Sequence, residues 1–348
     1  MLTRFFEASL SREGSSKRGK PLACFLVPQV GCRMNDLKEN KARPVVFGEV
    51  LFDDFEDGPS VIGGAAFNLA WNLECLGLAP LFISRIGDDR LGEQVLEIMR
   101  SCGMDTSGVQ VDAALPTGTV SVRLSAGEPE YTINDCQAYD AIDATEALTA
   151  LGESPVSMLY HGSLALRSEG SRAALDVLAG RLAGEIIVDV NLRQPWWKKE
   201  QVRADLSRAR WAKLNDEELR ELSSQPPVAL GGLLEEAGAF RKELDLEVLF
   251  LTLGSEGAAI LGPAEEVFEL PAEAASQLID TVGAGDAFTA IAMLGLSAGW
   301  PGAVILERAV EFAAAACCLE GATTSRREHY GGFLQGWGLQ EEPGSLRG

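Results

Sequence analysis

The sequence predicts an α/β protein in which helices cover both faces of a central, mostly parallel sheet, with a second, smaller sheet beside it. Two observations carry this prediction. Short apolar runs alternate with helical patterns along most of the chain, which is typical of parallel strands joined by crossover helices. Near the middle, short alternating segments follow one another without helices between them, which favours a separate small sheet.

The first elements follow from apolar runs on either side of a glycine pair. Residues 44–51 are almost continuously apolar, which predicts one buried strand. Residues 64–76 begin with glycine and carry apolar residues at helical spacing, so they are predicted as a helix. A strand at 81–86 and an amphipathic helix at 91–102 complete this part of the chain.

The middle and the second half differ in pattern. Short alternating segments at 109–111, 119–124 and 130–133 predict the small sheet. Strand and helix patterns then alternate again, because compact apolar runs are each followed by a longer segment of helical composition. We predict strands at 157–160, 185–190, 209–214 and 248–253, and helices at 171–182, 216–222, 287–298 and 301–319.

Composition narrows the class of protein. The formal net charge is −21, which argues against nucleic acid or an anionic membrane as a partner. Seven cysteines, an odd number, do not suit a disulfide framework and favour a reduced, cytoplasmic setting. No apolar run approaches the roughly 18 residues that a membrane-spanning helix needs.

The two ends of the chain are predicted to lie outside the folded domain. Residues 1–43 are predicted as a poorly ordered extension; a signal peptide is the alternative, although its apolar stretch is short. Gly14 to Lys20 fits the start of a phosphate-binding P-loop, but Pro21 follows where Ser or Thr is needed. The domain is expected at 44–330, and a glycine-rich tail that frays at 331–348.

The most informative segment is the turn Gly283-Ala284-Gly285 followed by Asp286. Small residues let backbone N–H groups approach a ligand, and at a helix start those groups lack intrahelical partners. They and the helix dipole favour an anion. A carboxylate beside an anion site suits a base that accepts a proton from a hydroxyl attacking phosphorus.

This turn stands in the context Asp280-Thr281-Val282-Gly-Ala-Gly-Asp-Ala-Phe, which resembles the signature of the PfkB/ribokinase family of carbohydrate kinases, fructokinase-like branch. The resemblance extends from about residue 43 to 325. Further motifs appear in the family's order: Gly63-Gly64-x-x-x-Asn68, Asp189-x-Asn-Leu-Arg193-x-x-x-Trp197, Asn215-x-x-Glu218 and Thr252-x-Gly254-Ser255-x-Gly257.

The resemblance implies a ribokinase-like three-layer fold, with a lid from about 52–62 and 118–134, and transfer of phosphate from ATP to a sugar. By this resemblance Asp286 is the general base, with an anion hole formed by Gly283, Ala284 and Gly285. The residues expected to bind the sugar are Asp53, Gly63, Gly64, Asn68 and Arg193. Those expected to hold ATP and Mg²⁺ are Asn215, Glu218, Thr252, Gly254, Ser255 and Gly257. Asp280, Val282 and Ser325 are expected to surround a K⁺ ion, and a homodimer is implied through the lid.

The sequence leaves several hypotheses open for the identity of the substrate. Fructose is the first expectation, because the segments 163–167 and 191–197 resemble those of fructokinases. The family often has Lys after the glycine pair, and Ala65 stands there instead, which disfavours a ribokinase-type activity. 2-Keto-3-deoxygluconate is the second expectation, and ribose or a nucleoside is the third. A sugar- or nucleotide-binding regulator without catalysis is a different class, which the presence of Asp286 and the glycines disfavours.

Overall fold

The computed structural model describes residues 42–55, 58, 60–125, 128–181, 185–224, 232–273 and 278–339. Of the predicted N-terminal extension, only Ala42 and Arg43 lie among these residues, and the end of the predicted tail, 340–348, lies outside them. Within the described residues, no helix combines the length and apolar character needed to cross a bilayer.

Two sheets organise the chain. The strands are β1 (Arg43–Phe47), β2 (Leu51–Phe55), β3 (Val61–Gly63), β4 (Leu81–Gly87), β5 (Val109–Asp112), β6 (Gly118–Ser125), β7 (Glu128–Ile133), β8 (Val156–His161), β9 (Ile186–Asp189), β10 (Trp211–Asn215), β11 (Val248–Thr252), β12 (Ala258–Leu261) and β13 (Val267–Leu270). The large sheet has the order β13-β12-β11-β10-β9-β8-β1-β4-β5, and the small sheet has the order β3-β2-β6-β7. Among the described strands of the large sheet, β12 is antiparallel to both of its neighbours, β11 and β13, and every other pair is parallel.

Helices cover both faces of the large sheet. They are α1 (Ala65–Cys75), α2 (Arg90–Cys102), α3 (Ala144–Leu151), α4 (Glu169–Arg181), α5 (Lys199–Leu206), α6 (Asp216–Leu222), α7 (Leu233–Glu243), α8 (Ala284–Ala298), α9 (Gly302–Ala316) and α10 (Arg327–Gly336). Successive strand residues point to opposite faces, so Val46 packs in one core while Val45 and Phe47 pack in the other. The first core takes α1, α2 and α8–α10, and the second takes α3–α7. The predicted three-layer arrangement is confirmed.

The prediction of one strand over 44–51 is wrong. β1 ends at Phe47, and the chain leaves the large sheet to begin β2 in the small one. The break lies at Gly48, where a Cβ atom would come within 2.5 Å of the Ala66 Cβ, so the backbone passes directly against α1. The apolar residues of the run are buried, as predicted, but they pack in two different cores.

The strand predicted at 109–111 was assigned to the wrong sheet. β5 pairs in parallel with β4, with Ser84 opposite Val109, at the edge of the large sheet. An edge strand with one exposed face alternates as the strands of the small sheet do, and Val111 is indeed exposed. The alternating pattern therefore did not distinguish the two sheets.

The prediction that the chain frays after Tyr330 is wrong as far as Leu339. α10 continues through Gly331 and Gly332, and Leu339 beyond it is buried. Phe333 packs edge-on against Phe312 of α9 with ring centres 5.0 Å apart. This aromatic packing outweighs the poor helix propensity of the two glycines.

Candidate active site

The predicted site residues collect where parallel strands end and helices begin. β9 ends at Asp189, β10 at Asn215 and β11 at Thr252, and these strands are neighbours in the large sheet. Carboxyl ends of adjacent parallel strands form the edge at which such folds bind ligands.

The first turn of α8 has the geometry of an anion site. Gly283 is its N-cap with φ +80°, and a Cβ there would lie 2.5 Å from the Ala322 Cα. Only glycine fits, for both reasons. The Ala284 N–H donates to the Thr281 carbonyl at 3.3 Å. Among the described residues the N–H groups of Gly285 and Asp286 have no such partner, so these two donors are free, whereas that of Ala284, also predicted for the anion hole, is occupied.

Asp286 lies inside this first turn, because the helix begins at Ala284 rather than at the predicted 287. Its side chain is almost buried, and its Oδ2 accepts a hydrogen bond of 2.8 Å from the Asn68 Nδ2 on α1. Burial raises the pKa of Asp286 to about 7, although the Asn68 hydrogen bond opposes the shift; the nearby Asp189 carboxylate adds to it. A carboxyl with this pKa is poised to take up a proton near neutral pH.

Carboxylates line the side of the site that was predicted to bind the sugar, which we call the acceptor side. Asp53 lies on β2 opposite Val120 of β6, so both side chains stand on the same face of the small sheet. A Cβ built on Gly63 would lie 3.6 Å from the Asp53 Oδ2, and Gly64 has φ +104° with the Glu49 carbonyl oxygen 2.9 Å from its Cβ position. The glycine pair therefore lets the chain pass close to both acids.

Glu49 was not among the predicted residues. It is 4% exposed, its Oε1 accepts a hydrogen bond of 3.1 Å from the Ala65 N–H, and its Oε2 has no partner among the described residues. Burial raises the pKa of Glu49, and the Arg193 guanidinium opposes the shift. The sequence held one signal, a carboxylate within an apolar run. The Oδ1 of Asn68 is also buried without a partner, so ligand hydroxyls have two acceptors to satisfy here.

Arg193 lies beside this acidic pocket without a direct contact to it. Its side chain is exposed and donates to the Leu192 carbonyl at 3.1 Å. Burial raises the pKa of Asp53 as well, and Arg193 again opposes the shift. The guanidinium is therefore close enough to act on both acids through space. Arg193 and Leu192 also line a cleft of about 450 Å³ that reaches Asn215 and Glu218.

Asn215 and Glu218 form a capping box at the start of α6. The Asn215 Oδ1 accepts from the Glu218 N–H, and the Glu218 Oε2 accepts from the Asn215 N–H, both at 2.8 Å. The second carboxylate oxygen, Oε1, accepts from the Leu192 N–H at 2.9 Å. Glu218 thus fastens the chain after β9 to α6 and fixes the backbone that carries Arg193.

The turn after β11 requires its glycines. Gly254 has φ +56° and Gly257 has φ +120°, and a Cβ on Gly257 would lie 2.0 Å from the Leu270 carbonyl oxygen. Ser255 between them is exposed, and the Thr252 hydroxyl lies 3.4 Å from the Leu214 carbonyl oxygen. The turn stands at the same edge of the sheet as Asn215, since Thr252 is its ladder partner.

The predicted cation residues are only partly brought together. The Asp280 Oδ1 accepts from the Val282 N–H at 3.0 Å, and the Asp280 N–H donates to the Cys317 carbonyl at 3.2 Å. Gly283 packs against Ala322, which brings the two segments side by side. Ser325 is exposed, and among the described residues no hydrogen bond joins it to Asp280 or Val282.

A buried ion pair beneath α8 was not predicted either. The Lys213 Nζ lies 3.0 Å from the Asp189 Oδ1, and the Asp189 Oδ2 lies 2.8 Å from the Thr289 Oγ1. Asp189 belonged to a predicted motif without an assigned role. Lys213 had one signal, a charged residue in the middle of an otherwise apolar strand.

Comparison with known proteins agrees with this geometry. Residues 26–329 match the pfkB family carbohydrate kinase profile. A fructokinase from Klebsiella pneumoniae is 31% identical over 297 residues, covering 81% of this chain and 93% of that protein. Aminoimidazole riboside kinase from Salmonella typhimurium is 27% identical over 256 residues, covering 70% of this chain and 77% of that protein.

Solved structures share the fold. A Vibrio cholerae fructokinase bound to fructose, ADP and calcium aligns with TM-score 0.68 and 23% identity, over 84% of this chain and 99% of that chain. Aminoimidazole riboside kinase from Salmonella enterica, with aminoimidazole riboside and an ATP analog, aligns with TM-score 0.69 and 24% identity over the same shares. The family profile spans most of the chain, and the chain therefore belongs to the pfkB family of carbohydrate kinases.

Proposed function

We propose that this sugar kinase transfers the γ-phosphoryl group of ATP to a hydroxyl of fructose, with Asp286 as the general base. The observation that carries the proposal is the Asp286–Asn68 hydrogen bond, which joins the start of α8 to the acceptor side of the site. A proton-accepting carboxylate thus stands between free backbone donors and unsatisfied acceptors for hydroxyl groups.

In this proposal each part of the site has one role. Asp53, Asn68 and the backbone at Gly63 and Gly64 orient the sugar. Asp286 removes the proton as the hydroxyl oxygen bonds to the γ-phosphorus and the bond to the β-γ bridging oxygen breaks, releasing ADP. The free N–H groups at the start of α8 stabilise the charge that develops on the γ-phosphoryl oxygens. Catalysis then comes from positioning and electrostatics, without a covalent enzyme intermediate.

The donor set beside α6 suits a hydrated Mg²⁺·ATP. Both Glu218 oxygens already accept backbone N–H groups, which fits contact through water molecules rather than direct ligation. Mg²⁺ prefers oxygen partners and keeps several of its waters. When bound, Mg²⁺ would neutralise part of the phosphate charge. A chain with a net charge of −21 has little excess positive charge of its own for this purpose. Asn215, Glu218 and the turn from Thr252 to Gly257 would hold this complex, and the residues at Asp280, Val282 and Ser325 a K⁺ ion.

The charges of the acceptor side favour a neutral sugar. Glu49, Asp53 and Asp286 face it, and Arg193 is the cation that acts on the first two of them. An anionic acceptor such as 2-keto-3-deoxygluconate would meet more repulsion than attraction there. The Klebsiella relative, whose name is fructokinase, supports the same choice.

A coupled assay of ADP release tests the proposal. The purified protein is supplied with ATP and Mg²⁺ and with fructose, ribose, aminoimidazole riboside or 2-keto-3-deoxygluconate, each with and without K⁺. We expect the highest kcat/KM with fructose and the lowest with the sugar acid. Equal or faster turnover of 2-keto-3-deoxygluconate would reject the neutral-sugar assignment, and no sugar-dependent ADP release would reject the proposed function.

A further inference from the structure

The ion pair beneath α8 is enclosed on all sides. The side chains of Lys213 and Asp189 are 8% and 1% exposed, and the ammonium lies 3.0 and 3.4 Å from the two carboxylate oxygens. Burying two charges costs several kcal/mol, and apolar residues of similar volume often serve stability equally well. Fold stability alone therefore gives little reason for this pair.

The pair is tied to the turn that carries Asp286. The Thr289 hydroxyl lies 2.8 Å from the Asp189 Oδ2 and 3.0 Å from the Gly285 carbonyl oxygen, so its one proton is shared between them. A Cβ on Gly285 would lie 3.0 Å from the Lys213 Nζ. Glycine at this position leaves room for the ammonium directly beside the backbone of Gly285 and Asp286.

We propose that Lys213 and Asp189 are positioning residues that set, with opposite signs, the proton affinity of Asp286 and hence the pH range of the kinase. The proposal rests on the proposed function, because it assumes that Asp286 acts as a base. The carboxylate of Asp189 favours a proton on Asp286, and the ammonium of Lys213 disfavours it.

Groups on several other elements face Asp286 besides this pair. α1 supplies Asn68, the loop after β1 supplies Glu49, and β8 supplies Tyr160, whose high pKa comes mainly from burial. Burial alone would lower the pKa of Lys213, but the Asp189 and Glu218 carboxylates raise it, so the ammonium keeps its charge. Of the groups around Asp286, the pair offers two opposite charges that can be removed one at a time.

The test is the pH dependence of kcat/KM for the sugar that the panel identifies. The base must be ionised to act. In the wild type kcat/KM should therefore fall about tenfold per pH unit below about pH 7, and we call the midpoint of this fall the acid limb. Lys213→Met removes a positive charge, and the acid limb should move up by about one pH unit. Asp189→Asn removes a negative charge, and the limb should move down by a similar amount.

Two further variants separate electrostatics from structure. In Lys213→Met/Asp189→Asn neither charge is left alone, and the acid limb should lie between those of the two single variants, because the two effects have opposite signs. Lys242→Met breaks an exposed pair with Glu265 and should leave the limb unchanged. Thermal unfolding establishes which variants fold. If one single variant does not fold, the difference in acid limb between the double variant and the other single variant gives the effect of the missing charge.

The outcomes are distinct. Shifts of opposite sign in the two single variants support the proposal. Uniform loss of rate without a shift, shifts of the same sign, or a double variant whose limb lies outside the range set by the two single variants would overturn it. A wild-type protein without sugar-dependent ADP release would instead refute the proposed function.

Discussion

Asp286 is held in an environment that opposes its charge. It is buried in the first turn of α8, and burial raises its pKa from 3.8 to about 7. A shift near three units corresponds to on the order of 4 kcal/mol of cost when the carboxylate is ionised in the folded protein. A residue chosen for stability would not carry this cost, so the position is better explained by proton transfer.

Replacing Asp286 with Asn should therefore stabilise the protein. Above pH 7 the carboxyl is ionised in both the folded and unfolded states, and the folded state bears the whole cost. Below pH 4 it is protonated in both, and the cost disappears. We expect Asp286→Asn to raise the unfolding temperature by roughly 5 °C at pH 8, with a gain that shrinks as the pH falls from 7 towards 4.

Differential scanning calorimetry at several pH values measures this gain. Asp88→Asn, at an exposed position, is the matched control and should change little. A destabilised Asp286→Asn variant at pH 8 would show that the carboxylate is needed for the fold and would count against this account of its burial.

Single residues were predictable where a motif named them. Asp286 and Asn68 were predicted by resemblance, but their hydrogen bond joins positions 218 residues apart and no local pattern implies it. Glu49 and Lys213 were missed because each is a lone charge in an apolar strand-like run, which local reasoning assigns to the strand. Their roles depend on which neighbouring elements enclose them.

At the scale of elements, the start of α6 is a capping box to which we also assign a part in nucleotide binding. Asn215 caps the helix through its side-chain oxygen, and Glu218 completes the capping box. The structure shows the capping contacts, and the proposed contact with hydrated Mg²⁺·ATP would use the amide nitrogen of Asn215, which capping does not occupy.

Substitutions at Asn215 can separate these roles. Asn215→Ser keeps a good N-cap but loses the amide, whereas Asn215→Ala loses both. We expect Ala to lower the free energy of unfolding by about 1 kcal/mol, and Ser to leave it near the wild-type value. Both should raise the KM for ATP by roughly tenfold.

Urea unfolding and steady-state kinetics on the same preparations provide the two readouts. If the Ser variant has the wild-type KM for ATP, Asn215 acts only as a cap and its proposed part in nucleotide binding is wrong.

Elements were predictable when an apolar pattern identified them. The core strands β4, β8, β9, β10 and β11 lie close to their predicted positions because buried parallel strands are continuously apolar. α3 and α5 were missed, since short helices with few buried residues carry a weak pattern. The run at 44–51 was predicted as one strand because two buried strands in different sheets are as apolar as a single continuous strand.

At the scale of the whole molecule, the small sheet borders the pocket around Asp53 and Glu49. Leu51, Val120 and Val122 pack with Tyr139 and Leu164 in a core of their own. Asp53 lies on the same face of the small sheet as Val120. We propose that this sheet closes over the sugar and excludes water, which would otherwise accept the phosphoryl group.

Hydrogen exchange tests whether the small sheet acts as a lid. Saturating fructose should slow amide exchange at least about tenfold in β2 and in residues 118–122, because closure lowers the population of open states. The Asp53→Ala variant, which loses a proposed sugar contact, is the matched control and should show little protection. Saturable fructose binding without added protection in the small sheet would show that it is not a lid.

The central claim is that the Asp286 carboxylate accepts the proton of the attacking hydroxyl, and the turnover of Asp286→Asn at pH 8 measures this most directly. With the preferred sugar, kcat should fall by about 10²- to 10⁴-fold, while calorimetric titration gives an ATP Kd close to that of wild type. A variant that binds ATP normally and keeps kcat within tenfold of wild type would contradict the account.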